Sequence, residues 1–303
     1  YVLLENEDDH FTIKTRNNNN VKITKLTESE FQIEKNGEVV GIQEEGYNES
    51  YDGLKFTLGS IQGENNIIEC ATSETVVNIV NSNGNKYVFN GGVTYDSTKQ
   101  VGLYDGTYTW KNVSVEHPIA ILNNGIASLI EYSANTSSVI EIKVSGGSNG
   151  ATNNDYYSFT IDDVSISIGS GSYKFMHGKT YRFIADGISG SHPFRLKVNS
   201  VDTTSISGTG GTIDLDYDST ATTIYECAAH SSMNGTLSPL NANINGSVYN
   251  FYYGDVDVSV NGDFNTASVY CYYHGYMGGE NLLVYTSECN LNVAQPQPEP
   301  EPE

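Results

Sequence analysis

The chain has 303 residues, which is room for two or three domains of ordinary size. Its net charge of −22 argues against nucleic acid as a partner, because binding to phosphates needs a basic surface. No apolar run reaches membrane-spanning length, so we expect no membrane span. The chain is rich in Tyr, Asn, Gly and β-branched residues and has no long stretch with apolar residues at a helical period, which predicts an all-β protein.

Short alternations of apolar and polar residues predict half-buried strands along the chain, for example at residues 21–24, 164–168 and 256–260. Near the start, the apolar-polar alternation at 31–34 is followed by Asn36 and Gly37, a dipeptide typical of two-residue hairpin turns. We therefore predict a small N-terminal β-domain over residues 1–83. Its sequence indicates no chemistry.

Two later segments share the pattern Cys-x-x-His-x-x-Met at the end of a strand-like run. They contain Cys227, His230 and Met233 in one case and Cys271, His274 and Met277 in the other. Two upstream segments also match each other, each with a His-Pro pair after a strand-like run, at His117 and His192. The same four residue types therefore occur twice, as His117, Cys271, His274 and Met277 and as His192, Cys227, His230 and Met233.

These residue types together indicate a mononuclear copper site. A thiolate and two neutral imidazoles in a trigonal plane, with a weak and distant thioether, suit an ion that alternates between Cu(I) and Cu(II). A lone Cys-x-x-His would be weak evidence, but the four-residue set found twice behind matching strands is specific. The competing interpretation is that each Cys is a buried apolar residue of a β-core.

At these residues the sequence resembles the cupredoxin family, and the spacing of the ligand loop is similar to that of amicyanin. The resemblance covers about residues 156–240 well and the flanking repeat less completely. It implies Greek-key β-sandwiches and type 1 copper, with His192 as the upstream ligand, Cys227 as the thiolate, His230 as the second imidazole and Met233 as the axial ligand. The chain departs from the family at Pro118 and Pro193, where the usual residue is Asn.

The order of the motifs predicts that one cupredoxin-like module is inserted into another. The segment 84–150 has an upstream His but no ligand loop, and 244–290 has a ligand loop but no upstream His. Between them, 151–243 has both. Insertion is tolerated because domain termini tend to lie close together. The alternative is two adjacent half-modules with no shared site, which could not bury their apolar faces.

Residues 291–303 read as a stiff acidic Pro/Glu linker, which we expect to lead to another element.

The other two cysteines, Cys70 and Cys289, are candidates for a disulfide between the first domain and the end of the outer module. Such a bond would imply an oxidising compartment. The alternative is that both are free.

Three functions remain open, and none is an enzyme, because no His-x-His pairs are present for the second copper centre of an oxidase or a nitrite reductase. The first is a structural surface or virion protein, located outside the cell or on a capsid or appendage, with other structural subunits as partners. The segment Ser191-His192-Pro193-Phe194, followed by the Tyr-Cys-His-Met loop, resembles cupredoxin-like modules of marine phage and algal-virus structural proteins. The second is a soluble or extracytoplasmic blue-copper electron carrier, and the third is a copper-scavenging protein.

Overall fold

The computed structural model describes residues 2–6, 10–14, 20–25, 30–44, 48–51, 54–57, 67–147, 155–287 and 289. Over these residues the protein is all-β, with no α-helix, as the absence of a helical period predicts. Within the same ranges no helix is long and apolar enough to cross a membrane. The Pro/Glu segment 291–303 lies outside the described residues.

The chain divides into two compact units, Tyr1–Ile67 and Ile68–Glu303. The strands up to the boundary are β1 (Val2–Asn6), β2 (His10–Lys14), β3 (Asn20–Lys25), β4 (Glu30–Lys35), β5 (Glu38–Glu44), β6 (Asn48–Tyr51) and β7 (Leu54–Thr57). The strands between residues 67 and 134 are β8 (Ile67–Cys70), β9 (Glu74–Val76), β10 (Asn78–Asn81), β11 (Asn85–Val88), β12 (Lys99–Leu103), β13 (Gly106–Val113), β14 (Ile119–Leu122) and β15 (Ile130–Ala134). The next group is β16 (Ile140–Gly146), β17 (Tyr157–Ile161), β18 (Val164–Ile166), β19 (Lys174–Phe175), β20 (Thr180–Ile188), β21 (Phe194–Val198), β22 (Val201–Asp202), β23 (Gly208–Asp216), β24 (Thr223–Cys227), β25 (Asn234–Thr236) and β26 (Ser238–Pro239). The last group is β27 (Asn241–Ile244), β28 (Ser247–Asn250), β29 (Gly254–Val260), β30 (Thr266–Cys271) and β31 (Leu283–Tyr285).

The first unit contains an antiparallel meander in the order β1-β2-β3-β4-β5 and the hairpin β6-β7. Asn36 and Gly37 join β4 to β5 with φ of 52° and 87°, the left-handed values that a two-residue hairpin turn requires. The hairpin predicted from this dipeptide is therefore confirmed. Val21, Ile23 and Ile33 are buried, and Ile23 pairs directly with Ile33 across β3 and β4.

Two sheets of the second unit form the outer sheet pair, with strand orders β14-β30-β31-β12-β8 and β15-β29-β13-β9. The chain leaves this pair at the end of β15 and returns at the start of β29. Strands that precede the intervening segment, from β16 to β28, pair with strands that follow it. Ile119 of β14 is opposite Cys271 of β30, and Tyr108 of β13 is opposite Val258 of β29.

The intervening segment forms the inner sheet pair, with orders β18-β17-β16-β20-β23 and β22-β21-β24-β25. In the second of these sheets Phe194 of β21 is opposite Cys227 of β24. Ile140 pairs in parallel with Tyr181, so β16 and β20 lie side by side near the middle of the first sheet.

Each sheet pair has its own hydrophobic core, which gives the second unit its β-sandwich character. The outer core is centred on the fully buried Trp110, and the inner core contains Phe159, Phe194 and Tyr225. Burial of these large rings explains why the chain carries so many aromatic residues at alternate strand positions.

The unit boundary at Ile67 and Ile68 differs from the predicted boundary at residues 83 and 84. Strand β8, which carries Cys70, hydrogen-bonds in the same sheet as β12, β14, β30 and β31. The Greek-key connectivity and the nested-module boundaries stay predictions.

Candidate metal centres

Among the residues that the structure describes, two groups of side chains could hold a metal ion, and each has one Cys and two His. We call His117, Cys271 and His274 the outer centre, and His192, Cys227 and His230 the inner centre. Within each group the candidate ligand atoms lie within 4.8 Å of one another. The structure thus brings together the three strong ligands of each set that the sequence predicted.

The outer centre lies where β14 begins and β30 ends. His117 precedes β14, and Cys271 is the last residue of β30. Cys271 Sγ lies 3.8 Å from His117 Nδ1 and 3.5 Å from His274 Nδ1, and the two Nδ1 atoms are 3.1 Å apart. Both imidazoles therefore present the same nitrogen to one point beside the sulphur.

Backbone hydrogen bonds hold the outer ligand loop in a tight turn. Cys271 N donates to Gly275 O at 2.7 Å, and Gly275 N donates back to Cys271 O at 3.2 Å. Gly275 has φ of 75°, a left-handed value that glycine adopts without the strain a Cβ would bring. This turn directs His274 back toward Cys271.

The inner centre repeats this geometry. Cys227 Sγ lies 3.8 Å from His192 Nδ1 and 3.6 Å from His230 Nδ1. The two imidazole rings have a centroid distance of 4.7 Å and an interplanar angle of 41°, against 4.7 Å and 43° in the outer centre. Since the two ligand loops share few residues outside the motif, the agreement follows from the common spacing and the common strand pairing.

Pro118 and Pro193 brace the ligand loops through their carbonyl groups. Tyr272 N donates to Pro118 O at 2.9 Å, and Ala228 N donates to Pro193 O at 2.8 Å. A proline can accept but cannot donate through its backbone, and this contact uses the group that it retains. The two prolines therefore provide a backbone link between the upstream His segment and the residue after Cys in both centres.

Burial differs among the ligands in a consistent way. Cys227 and Cys271 are fully buried and unpaired with other cysteines. His230 and His274, on the loops, are exposed. His117 is buried, and burial lowers its pKa below the usual 6.5, with a further lowering by the neighbouring His274. A lowered pKa keeps this imidazole neutral, which is the form that binds metals.

The donor geometry fits a first-row transition metal. For the outer centre, the point equidistant from the three donor atoms lies about 2.0 Å from each, close to the ~2.0 Å metal–nitrogen and ~2.3 Å metal–thiolate distances of protein sites. The three donors can therefore surround one ion without moving apart. A shared ion would also give the two imidazole nitrogens, which lie 3.1 Å apart, a common partner.

The two methionines of the motifs are buried in the same loops. Met233 N donates to His230 O at 2.9 Å and Met233 O accepts from Cys227 N at 2.9 Å, and Met277 O accepts from Tyr87 N at 3.0 Å. The backbone of Met233 therefore helps to close the inner loop, and that of Met277 attaches the outer loop to β11. Axial coordination by their sulphur atoms stays a prediction.

Glu226, the residue before Cys227 in β24, is a buried carboxylate between two cations. Lys197 Nζ donates to it at 2.9 Å, and Arg195 donates to it through its guanidinium group. Burial raises the pKa of Glu226, but the hydrogen bonds from Lys197 and Arg195 outweigh this effect and hold the pKa below its usual 4.5. The charged cluster anchors β24 to β21 one residue before Cys227.

Three residues beside the centres were missed by the sequence reasoning. The Asn85 carboxamide nitrogen lies 3.3 Å from His117 Nε2. If Nδ1 binds a metal, Nε2 carries the proton, and a half-turn of the carboxamide then presents its oxygen as the acceptor. Tyr87 and Tyr157 donate hydrogen bonds beside the two centres. No local pattern separates these two from the other tyrosines of the chain.

Cys70 and Cys289 form a disulfide with a Cα–Cα distance of 5.4 Å. Both lie in the second unit, so the bond connects the edge strand β8 to the segment after β31. His177, outside both centres, is partly exposed, and its Nδ1 accepts from Ser219 N at 3.1 Å.

Comparison of the sequence with models of known protein families and with curated proteins gives no match.

Proposed function

We propose that this protein binds one copper ion at each of the two centres. The proposal depends on the repeated donor triangle, in which a buried Cys sulphur lies 3.5–3.8 Å from two imidazole Nδ1 atoms. A thiolate with two imidazoles and a weak thioether is the donor set of blue-copper sites, whereas structural zinc takes four strong ligands. Met233 and Met277 are the proposed axial ligands. Copper bound there would supply one-electron chemistry between Cu(I) and Cu(II).

We further propose that each centre belongs to a Greek-key cupredoxin-like module and that the inner module is inserted into the outer one. Pairing of β13, β14 and β15 with β29 and β30 supports this proposal, because it joins segments on either side of the inner sheet pair. The separate hydrophobic cores also support it.

The proposed role of copper is to stabilise a structural protein of a cell or virus surface that assembles with other structural subunits. Each donor triangle ties the start of one strand to the loop after its partner strand, so an ion bound there would act as a cross-link. An ion that binds the folded state alone stabilises it by about 2.7 kcal/mol at a concentration 100-fold above its Kd. The Cys70–Cys289 disulfide is consistent with an oxidising exterior.

Electron transfer is the second candidate, and it is favoured by the exposure of His230 and His274. An exposed imidazole bound to copper gives a redox partner a short route to the metal. In both centres the loop His is the exposed ligand and the Cys is buried, which is the arrangement that a carrier needs.

The test of copper binding is a titration of the metal-free protein with Cu(II), followed by metal analysis and a visible spectrum. The proposal predicts two equivalents and an intense thiolate-to-copper band that falls by about half in Cys227→Ser and in Cys271→Ser. His177→Ala is the matched control, since this His lies outside both centres, and it should keep both ions. Uptake of one equivalent or less, or a spectrum without a thiolate band, would refute copper at both centres.

The two roles differ in what copper changes. A structural role predicts a melting temperature several degrees higher with copper and assembly into a larger particle. A carrier role predicts reversible voltammetry with fast exchange and no assembly. Copper that binds the folded state alone raises the melting temperature under either role, so assembly and electron exchange are the readouts that discriminate. Comparing the wild type with the Cys227→Ser, Cys271→Ser double variant separates the two.

A further inference from the structure

A cleft of about 250 Å³ opens beside the outer sheet pair, and none of its lining residues is a ligand of either centre. One wall is the turn after β14, which contributes Asn123 and Asn124, and Tyr132 of β15 lies next to it. The facing wall is β28, all four residues of which line the cleft. No lining residue carries a charge, although the chain has 37 acidic and 15 basic residues.

Hydrogen bonds hold both walls in place. In the turn, Ile126 N donates to Asn123 O at 3.0 Å, and Asn123 Nδ2 donates to Ile130 O at 2.8 Å across its two ends. Gly125 has φ of 83°, a left-handed value that suits this glycine. On the facing wall, β28 is paired along its whole length with β27. The cleft is therefore preformed, as most small-molecule sites are.

Three tyrosines give the cleft aromatic surface without charge: Tyr132, Tyr249 and Tyr252. Tyr132 Oη donates to the backbone oxygen of Asn250 at 3.0 Å, and its ring packs edge-on against Tyr252 at a centroid distance of 5.6 Å. Burial raises the pKa of Tyr252 to about 12, so its hydroxyl stays protonated. The rings are thus held in fixed orientations, each with an apolar body and a polar end.

Polar groups with free hydrogen-bonding capacity complete the lining. Asn124 is exposed, and in the described part of the chain neither its side chain nor that of Ser247 has a hydrogen-bond partner. Asn123 uses its carboxamide nitrogen on Ile130, which leaves its carboxamide oxygen as an acceptor. Carboxamides and hydroxyls both donate and accept. They match a ligand whose own groups do the same.

The lining favours a neutral ligand with several hydroxyl groups. A phosphate or carboxylate would find no cation in the cleft, and the net charge of −22 repels anions. A metal cation would find no carboxylate, and an apolar ligand would leave the carboxamides without partners. At roughly 30 Å³ per water the cleft holds about eight waters, which is room for one sugar ring.

We propose that this cleft binds one neutral hexose unit of a glycan. The hydroxyl groups of the sugar take the free groups of Asn123, Asn124 and Ser247 as partners, and its C–H groups contact the tyrosine rings. No metal takes part, so the inference goes beyond copper binding and is independent of it. In a protein of a cell or virus surface, such a site would attach the protein to a neighbouring glycan.

The experiment titrates the metal-free, full-length protein with the methyl glycosides of glucose, galactose, mannose and N-acetylglucosamine. Binding is followed by saturation-transfer difference NMR on the glycoside and by amide shifts of the labelled protein. A few water-exposed hydrogen bonds should give at least one glycoside a Kd of about 1 mM, with shifts in residues 123–132 and 247–252. Glucuronate should bind at least about fivefold more weakly than glucose, because its carboxylate finds no cation.

Two variants test the place of binding. Ala127→Trp puts a large ring into the cleft from an exposed turn position and should abolish binding. Ser247→Ala removes one hydroxyl and should weaken binding about fivefold. Ser207→Ala is the matched control, because this exposed serine lies between β22 and β23 outside the cleft, and it should bind as the wild type does. Thermal unfolding checks that each variant is folded.

Three results would overturn the proposal: no saturation transfer to any of the four glycosides at about 20 mM, shifts confined to other parts of the protein, or unchanged binding in folded Ala127→Trp. If Ala127→Trp does not fold, Ser247→Ala decides, and an unchanged Kd in that variant overturns it. Because the protein is metal-free throughout, failure here leaves copper binding untouched, and failure of copper binding leaves this result standing.

Discussion

Replacing Gly235 with Ala tests how closely β25 packs against Tyr225 of β24, the strand that carries Cys227 of the inner centre. Gly235 lies in β25 directly opposite Tyr225 of β24, two residues before Cys227. A Cβ at this position would lie 2.5 Å from Tyr225 Cε1 and 2.7 Å from its Oη, distances that real Cβ atoms do not show. The ring cannot move away easily, because it is fully buried and its hydroxyl donates to Asp155 Oδ1 at 2.8 Å.

Two effects set the magnitude. Inserting a methyl group into a well-packed core costs about 1–3 kcal/mol. If the ring shifts, the hydrogen bond from Tyr225 to the Asp155 carboxylate weakens, and bonds to charged groups contribute about 1.5–3 kcal/mol. The two costs are not fully additive, because a shift of the ring that weakens the hydrogen bond also reduces the steric overlap. We therefore expect the free energy of unfolding to fall by about 3 kcal/mol, which lowers the melting temperature of a unit of this size by about 6–12 °C.

The assay is thermal and urea unfolding of Gly235→Ala followed by circular dichroism. Gly190→Ala is the matched control, because a Cβ there has no atom within 4 Å and the backbone is not in the left-handed region, so its melting temperature should stay close to that of the wild type. The copper band of the inner centre should change while that of the outer centre does not. A Gly235→Ala melting temperature within about 2 °C of the wild type would show that the packing argument is wrong.

Three further changes have defined outcomes. Asn85→Leu should weaken copper binding at the outer centre by about 10–100-fold in a competition titration, because the imidazole loses its orienting partner, while the inner centre serves as the internal standard. Cys289→Ser should lower the free energy of unfolding by about 3–5 kcal/mol in urea, because the disulfide closes a loop spanning 219 positions. A wild-type protein that is equally stable with and without reductant would contradict this. Arg195→Met should lower it by about 1–3 kcal/mol by removing one cation from the buried Glu226, whereas Lys143→Met, at an exposed ion pair, should change it by less than about 1 kcal/mol.

Local signals in the sequence were enough for the fold class and for finding the one Cys and two His that each centre brings together. The alternation at residues 256–260 lies in β29, and Asn36 with Gly37 forms the predicted turn, since both signals depend on neighbours along the chain. Cys-x-x-His spacing also acts locally, because a single turn after a strand brings the two ligands together.

The rest depends on contacts between distant residues. The sequence placed Cys70 in the N-terminal domain because nothing near it shows that β8 joins the sheet of β12 and β31. Asn85, Tyr87 and Tyr157 approach the centres from strands whose own patterns match those of any half-buried strand. Their roles follow from the order of strands in the sheets, which residue types alone do not encode.

The outer sheet pair is built from two parts of the chain that the inner sheet pair separates, and this order has a consequence for biosynthesis. His192 and Cys227 are 35 residues apart, so the inner triangle can form while the ribosome is still adding the rest of the chain. His117 must wait for Cys271, which emerges 154 residues later. By loop-closure entropy alone this longer separation costs only about 1.3 kcal/mol more, so the delay is one of timing rather than of equilibrium. A nascent chain would thus complete its two candidate centres in a fixed order, the inner one before the outer one.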